Sequence, residues 1–340
     1  MVELNLVWEH AILACRFEHR VPVFSNLDEQ PRFTMNRRDF LIRSSAASLG
    51  LLAQRSLLAQ IPTGAPAAKA EFKTLRRNVG TFTMRGGTIG WLASPDALVA
   101  VDTQFPDTAA HCLAGLPGRG ARTLDVVINT HHHGDHTGGN RVFKDAAKSL
   151  VAHANVPALQ RSRAERDGTL DRQVYADATF ADTWRLDVGD EVVSAKYHGP
   201  GHTKGDITVH FEKANVVHMG DLMFNRIYPA IDRPGGASIR HWMTILDQQS
   251  RAYDKDTLFI FGHGNAEFGA TGRREDLSVF RDYLGGLLAH VEREIAAGKT
   301  KEEIMKLENL PGFPQFHQKP PHRLGTNLAV AYDELTTAKG

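Results

Sequence analysis

Leu124-Asp125-Val126-Val127-Ile128-Asn129-Thr130-His131-His132-His133-Gly134-Asp135-His136-Thr137-Gly138-Gly139-Asn140 is the stretch whose reading decides the fold. A short apolar run, Leu124–Asn129, is rich in β-branched residues and reads as a buried strand. The histidines follow it at once, in the loop that leaves the strand, where a rigid scaffold presents ligands. The pattern is H-x-H-x-D-H. Imidazole and carboxylate suit zinc and similar divalent ions. His131, His133, Asp135 and His136 cannot all reach one small ion comfortably, but they can serve two ions placed side by side. Gly134 and the Gly138-Gly139 pair let the backbone turn tightly around them.

Three positions further along repeat the same local context. His202 lies in Gly199-Pro200-Gly201-His202-Thr203, Asp221 in His218-Met219-Gly220-Asp221, and His263 in Phe261-Gly262-His263-Gly264. Each follows a predicted strand and is flanked by glycine. A metal ligand is therefore expected at each.

These seven positions, in this order, resemble the metallo-β-lactamase-fold superfamily over roughly residues 75–300. The resemblance implies an αββα sandwich of class α/β (α+β), with two mixed sheets flanked by helices and the site at one edge. It implies that His131, His133 and His202 hold a first metal and Asp135, His136 and His263 a second, with Asp221 bridging both. His132 falls at a variable position and is expected not to ligate. Asp102, after the run Val99-Ala100-Val101, is expected to hydrogen-bond the histidine loop from behind, or to act as a turn or helix-capping residue. Two Zn2+ ions are the implied cofactor; iron or manganese also suits N/O ligation. Such a metal lowers the pKa of bound water from 15.7 to about 7. Asp135 would orient the resulting nucleophile. No G-x-S-x-G serine elbow is present, and Cys112 reads as packing.

The implied activity is hydrolysis of an ester, thioester, lactone or β-lactam-type carbonyl in a small-molecule substrate. Within the superfamily, Asp221 departs from lactamases with Cys at that position. Phe224 departs from the Tyr usual in acyl-homoserine lactonases. Thr130–His133 and Gly138–Asn140 are similar to glyoxalase II thioesterases, but Lys319 and Arg323 read as isolated surface charges, not a glutathione site. Persulfide dioxygenases share the ligands and bind one iron, an alternative redox reading. A non-catalytic metal-binding member is the third reading, although such members lose ligands and all seven are present here. Phe224, Tyr228 and Ile231 are expected either to line an apolar substrate wall or to pack beneath a loop. Trp91 reads as a core residue or a residue at the pocket mouth.

The remainder of the chain fits one catalytic domain over 71–340. Strands are expected at Thr81–Arg85, Ile89–Ala93, Ala97–Asp102, Leu150–Ala152, Trp184–Leu186, Glu191–Tyr197, Ile207–Phe211, Asn215–Met219 and Leu258–Phe261. Helices are expected at Thr108–Leu116, Ile239–Ser250, Arg273–Ala297, Lys301–Asn309 and Gly325–Thr337. The charged, Ala-rich stretch 160–182 reads as helix or mobile loop. With 340 residues, 42% of them hydrophobic, the chain has ample core and is not a disordered polymer. Lys and Arg total 40 against 39 Asp and Glu, so the charge of +1 gives no field for nucleic acid. Two Cys make no disulfide framework.

The N-terminus reads as a targeting segment. Arg37-Arg38 before Phe40-Leu41 resembles a twin-arginine export signal over 35–67. The apolar run Ser44–Ala53 is too short for the ~20 residues of a membrane-spanning helix, so no stable anchor remains after cleavage. Cleavage after Ala67 or Ala59 fits the small-residue rule. Residues 1–34 read as an upstream extension, which would make Cys15 irrelevant. The expected partner is the twin-arginine export machinery, and the expected location is the periplasm or outside the cell.

Overall fold

The computed structural model describes residues 69–316 and 322–337. The expected extension, export signal and Cys15 lie outside them, as does Lys319. The first sheet has seven strands: β1 (Glu71–Arg76), β2 (Val79–Thr83), β3 (Ile89–Ala93), β4 (Leu98–Val101), β5 (Val126–Asn129), β6 (Leu150–His153) and β7 (Ala178–Phe180). They lie side by side in sequence order, antiparallel from β1 to β4 and parallel from β4 to β7. Parallel neighbours need crossovers, which are α1 (Pro106–Gly115) between β4 and β5, and the short helices α2 (Gly134–Thr137) and α3 (Asn140–Lys144) between β5 and β6. Helix α4 (Val156–Asp167) then leads toward β7.

The second sheet holds β8 (Thr183–Val188), β9 (Glu191–Tyr197), β10 (Ile207–Phe211), β11 (Val216–His218), β13 (Leu258–Ile260) and β15 (Thr271–Gly272), ordered 15-13-11-10-9-8. Two-residue strands β12 (Phe224–Asn225) and β14 (His263–Gly264) pair in parallel as a third, small sheet. Helices α5 (Ile239–Ala252), α6 (Arg274–Ala296), α7 (Lys301–Ile304) and α8 (Arg323–Thr337) complete the chain.

Side-chain alternation sorts the sheets into layers. Val99, Val101, Val126 and Ile128 meet Val193, Val209, Phe211, Val216 and Ile260 in the core between the sheets. Leu98, Ala100 and Val127 point the other way, onto Ala109, Cys112 and Phe143 of the first helical layer. Val217 and Phe259 point onto Trp242, Leu246, Phe280 and Leu284 of the second. The result is helix, sheet, sheet, helix, as expected from the sequence. Trp242 is fully buried and its indole N–H donates to the Leu222 carbonyl at 2.9 Å. Truncating such a residue to Ala costs about 3–5 kcal/mol.

The C-terminal helix is tied down at both ends. Glu334 accepts from the backbone N–H groups of Ile239 and Arg240, at 2.8 and 3.0 Å, and so satisfies donors that the first turn of α5 leaves free. Asn327 donates to the Tyr283 hydroxyl at 3.2 Å, and Leu324 and Leu328 are fully buried.

Several expectations need correction. Glu71–Arg76 is exposed or half-buried and carries no clear alternation, yet it pairs on β2 as the edge strand. Residues 160–182 are neither one helix nor a loop: α4 ends at Asp167, where Gly168 adopts a left-handed cap, and Ala178–Phe180 joins the first sheet. The expected helix Lys301–Asn309 stops at Ile304. Trp91 is a core residue beneath the first helical layer, and Cys112 is buried there too, with its thiol pushed up by desolvation.

Candidate metal centre

Every strand that carries an expected ligand ends at the same edge of the sandwich. β5 delivers His131–His136, the segment after β9 delivers His202, β11 delivers Asp221, and the segment after β13 delivers His263. The seven side chains converge into two clusters: His131, His133, His202 and Asp221, and beside it Asp135, His136 and His263.

Asp221 lies between them. Its Oδ2 is 3.7 Å from His131 Nε2 and 3.4 Å from His202 Nε2, while its Oδ1 is 3.0 Å from His136 Nε2 and 3.3 Å from His263 Nε2. Asp135 Oδ2 is 3.2 Å from His263 Nε2. One carboxylate thus gives one oxygen to each cluster.

The outer nitrogens of His131, His133, His136 and His202 are engaged, which leaves their inner nitrogens free to ligate. His136 Nδ1 donates to Asp102 Oδ2 at 2.7 Å. His202 Nδ1 donates to the Ala230 carbonyl at 2.6 Å. His133 Nε2 meets Asp232 Oδ2 at 2.9 Å. His131 Nδ1 lies 3.0 Å from Thr130 Oγ1, which itself donates to Asp102 at 2.8 Å. These partners set each tautomer, because a ring nitrogen that donates outward leaves its mate a lone pair. Inward-facing lone pairs then confront one another: His202 Nε2 is 2.9 Å from His133 Nδ1, and His136 Nε2 is 3.3 Å from His263 Nε2. His131 Nε2 and Asp221 Oδ1 are buried with no hydrogen-bond partner. A buried cage lined by acceptors is stable only around cations, protons or metal ions. The donor set of imidazole and carboxylate fits divalent metal.

The electrostatics agree. Burial works against a charged His136, but the carboxylates of Asp221, Asp102 and Asp135 outweigh it and hold its pKa well above the ordinary value. His263 is likewise held at about 9 against desolvation, chiefly by Asp221 and Asp135. Desolvation pushes His202 down to about 3 and lowers His131 strongly. Desolvation opposes ionised Asp221, yet the surrounding histidines hold it far below the usual carboxylate range.

Asp102 stands behind the loop, fully buried, and accepts from Thr130 N and Thr130 Oγ1 at 2.8 Å each as well as from His136. It is not a helix cap; Phe105 occupies that position in α1. Its φ of 67° is left-handed, a conformation that costs a non-glycine residue about 1–3 kcal/mol. Glycine is required at Gly262, where an added Cβ would lie 2.1 Å from Asp221 Oδ1.

His132 turns away from both clusters, with its Nε2 3.3 Å from Asp232. Asp232 carries no signal in the sequence that would single it out. Its carboxylate sits against His132 and His133, and they hold its pKa well down despite partial burial. The segment Pro229-Ala230-Ile231-Asp232 carries it, 99 residues beyond His133, so only folding reveals the pairing.

A cleft of about 860 Å³ opens in front of Asp135, Asp221 and His263. Phe224 and Tyr228 line it while also belonging to the core of the second helical layer. Ile231 does not line it; it packs against that core, and Ile227 takes the place at the wall. Arg323 is no isolated surface charge: it is half-buried and lines the same cleft.

Comparison with known proteins follows the same outline. A family model described as the metallo-beta-lactamase superfamily matches residues 85–263. A hydroxyacylglutathione hydrolase from Methylococcus capsulatus is 30% identical over 188 residues, covering 52% of this chain and 62% of that protein. Another from a Synechococcus species is 32% identical over 219 residues, covering 60% and 76%. The chain thus spans less than two thirds of the first of these relatives. Among solved structures, an inverting secondary alkylsulfatase from a Pseudomonas species matches with a TM-score of 0.60 at 16% identity, covering 78% of this chain and 50% of that one. A metallo-beta-lactamase from Pontibacter korlensis matches with a TM-score of 0.51 at 18% identity, covering 64% and 99%. At these identities the structural matches speak for the fold alone.

Proposed function

Since the chain belongs to the metallo-beta-lactamase superfamily, we propose that it is a metal-dependent hydrolase with a dinuclear, zinc-type centre, cleaving a thioester or a related ester, lactone or amide carbonyl. The placement of Asp221 carries this reading, one carboxylate oxygen toward each cluster. His131, His133 and His202 would hold one ion, Asp135, His136 and His263 the other, and Asp221 would touch both. Such ions, when bound, supply hydroxide at neutral pH and neutralise charge developing on the carbonyl oxygen.

The chain's own residues do the rest. Asp135 and His263 are the most exposed of the seven side chains, at 30% and 21%, so a substrate in the cleft approaches over this edge. Histidines 136 and 263 keep the Asp135 carboxylate ionised against its burial, ready to accept a hydrogen bond from an attacking water. Asp102 and Asp232 orient His136 and His133 from behind. Phe105, Phe224 and Tyr228 line the cleft and limit water around the reacting carbonyl. A thioester is favoured over the other carbonyls because the hydroxyacylglutathione hydrolases are the similar curated proteins.

The test is metal content and turnover measured together. The purified protein is expected to carry two divalent ions per chain and to hydrolyse an S-acyl thioester in a panel that also holds nitrocefin and a lactone. One iron per chain with no hydrolysis would overturn the reading. Export is part of the proposal, supported by Arg37-Arg38 and the apolar run behind them. Substituting both arginines with Lys should retain the protein in the cytoplasm, as read by fractionation and N-terminal sequencing; unchanged processing would refute this part.

A further inference from the structure

His131, His133, His136 and His202 are each held twice, by an inner nitrogen in the cage and by an outer nitrogen bonded to the protein. His263 is the exception. Its Nε2 faces Asp135, Asp221 and His136, at 3.2, 3.3 and 3.3 Å, and its Nδ1 has no hydrogen-bond partner among the described residues. The torsion that turns an imidazole is broad and roughly two-fold, so a ring without an outer bond needs another restraint to keep its inner nitrogen aimed at a metal.

Phe224 offers that restraint. Its ring centroid lies 5.2 Å from that of His263 at an interplanar angle of 20°, a stacked arrangement. The backbone dictates the contact: β12 and β14 pair in parallel with Phe224 directly opposite His263, so the two side chains leave the small sheet side by side. Phe224 has little freedom to move away. It is 4% exposed, Trp242 and Phe280 pack against it at 6.2 and 6.1 Å, and Trp242 is itself held by the Leu222 carbonyl. The neighbouring Asn225 donates to the Phe268 and Gly269 carbonyls at 3.3 and 2.9 Å, which ties the segment after His263 to β12.

Resting on the dinuclear reading above, we propose that Phe224 is the positioning residue of His263. Its ring takes the place of the outer hydrogen bond that the other ligand histidines have, and so steadies the ion that Asp135, His136 and His263 would hold. Phe224 also belongs to the core of the second helical layer. What separates positioning from packing is therefore its coupling to His263.

A double-mutant cycle on the full chain measures that coupling, read as stepwise Zn2+ affinity by competition with a chromophoric chelator. Phe224→Leu keeps an apolar side chain and removes the flat face. It should weaken one of the two ions about 3- to 10-fold, the scale of one aromatic ring pair, and leave the other within about twofold. Phe224→Tyr keeps the face and should match the native chain at both positions. In a His263→Ala background the imidazole is gone, and Phe224→Leu should lower neither affinity further. If Phe224→Leu does not fold, Phe224→Met, unbranched and adaptable, takes its place in the cycle.

Equal weakening of both ions, native affinities in Phe224→Leu, the same further loss in the His263→Ala background, or a Phe224→Tyr variant as weak as Phe224→Leu would each overturn the proposal and leave Phe224 as core packing. If the native chain takes a single ion, the dinuclear reading fails, and the same cycle on that ion decides the proposal. A loss on Phe224→Leu that vanishes without His263 supports it; no loss, or one that persists, overturns it.

Discussion

Replacing Asp102 with Asn removes a charge and almost no volume, so its effects report on hydrogen bonding and charge, not on packing. Asp102 accepts from Thr130 N at one oxygen, and from Thr130 Oγ1 and His136 Nδ1 at the other. An asparagine has one oxygen and one NH2. Whichever way it turns, at least one buried donor then faces another donor, which costs about 1–3 kcal/mol. The bond from His136 also loses its charge assistance, adding about 1–2 kcal/mol, since charged bonds are about twice as strong as neutral ones. Together the loss is about 2–5 kcal/mol against a typical domain stability of about 5–15. A melting midpoint about 4–15 °C lower in the metal-free protein follows. Metal affinity should fall about 10- to 100-fold, because His136 loses the group that sets its tautomer and angle. Differential scanning calorimetry of the stripped protein and competition with a chromophoric chelator read the two effects separately. A midpoint and an affinity both unchanged in Asp102→Asn would refute the role of Asp102 in holding the histidine loop.

Asp221→Ala should empty or weaken both metal positions, whereas His132→Ala should leave metal content intact; the opposite pattern by plasma emission analysis would invert the ligand assignment. Gly262→Ala should displace the Asp221 carboxylate, because the new methyl would overlap its Oδ1, and overpacking of this kind costs about 1–3 kcal/mol. Native metal content in that variant would mean the loop gives way freely. The stripped protein should be most stable near pH 6.5, the ordinary histidine value. His136 and His263 have raised pKa values, so their contribution is complete below that pH and is lost as pH rises through about 9. His202, pushed down to about 3, and His131 are neutral in the fold and oppose folding as pH falls below the ordinary value. The loaded protein should lose little stability between about pH 6.5 and 9; a parallel decline in both forms would show that other groups control it.

Much of the site was legible because the ligands follow strands and carry glycine around them. Gly199-Pro200-Gly201-His202 and Phe261-Gly262-His263-Gly264 announce themselves locally. The layered fold was legible for a related reason: short continuous apolar runs such as Leu98–Val101, buried on both faces, mark central strands directly. The edge strand Glu71–Arg76 was not, because an exposed edge carries no apolar alternation and is held by backbone pairing to β2. Residues 160–182 resist reading because charge and alanine look alike in a surface helix and a loop, and Ala178–Phe180 is too short to show a period.

What the sequence determined by itself was which side chains converge at the candidate metal centre and the chain order of the strands that present them, since both are encoded within a few residues. Tertiary structure alone decided which groups face those ligands from behind and in front. Asp232 reaches His133 across 99 residues, and Arg323 reaches the cleft from the C-terminal helix. Neither has a local pattern, because a carboxylate or guanidinium in a loop or at a helix start is ordinary surface text until packing removes it from water. Burial then makes its partner, or the lack of one, matter energetically.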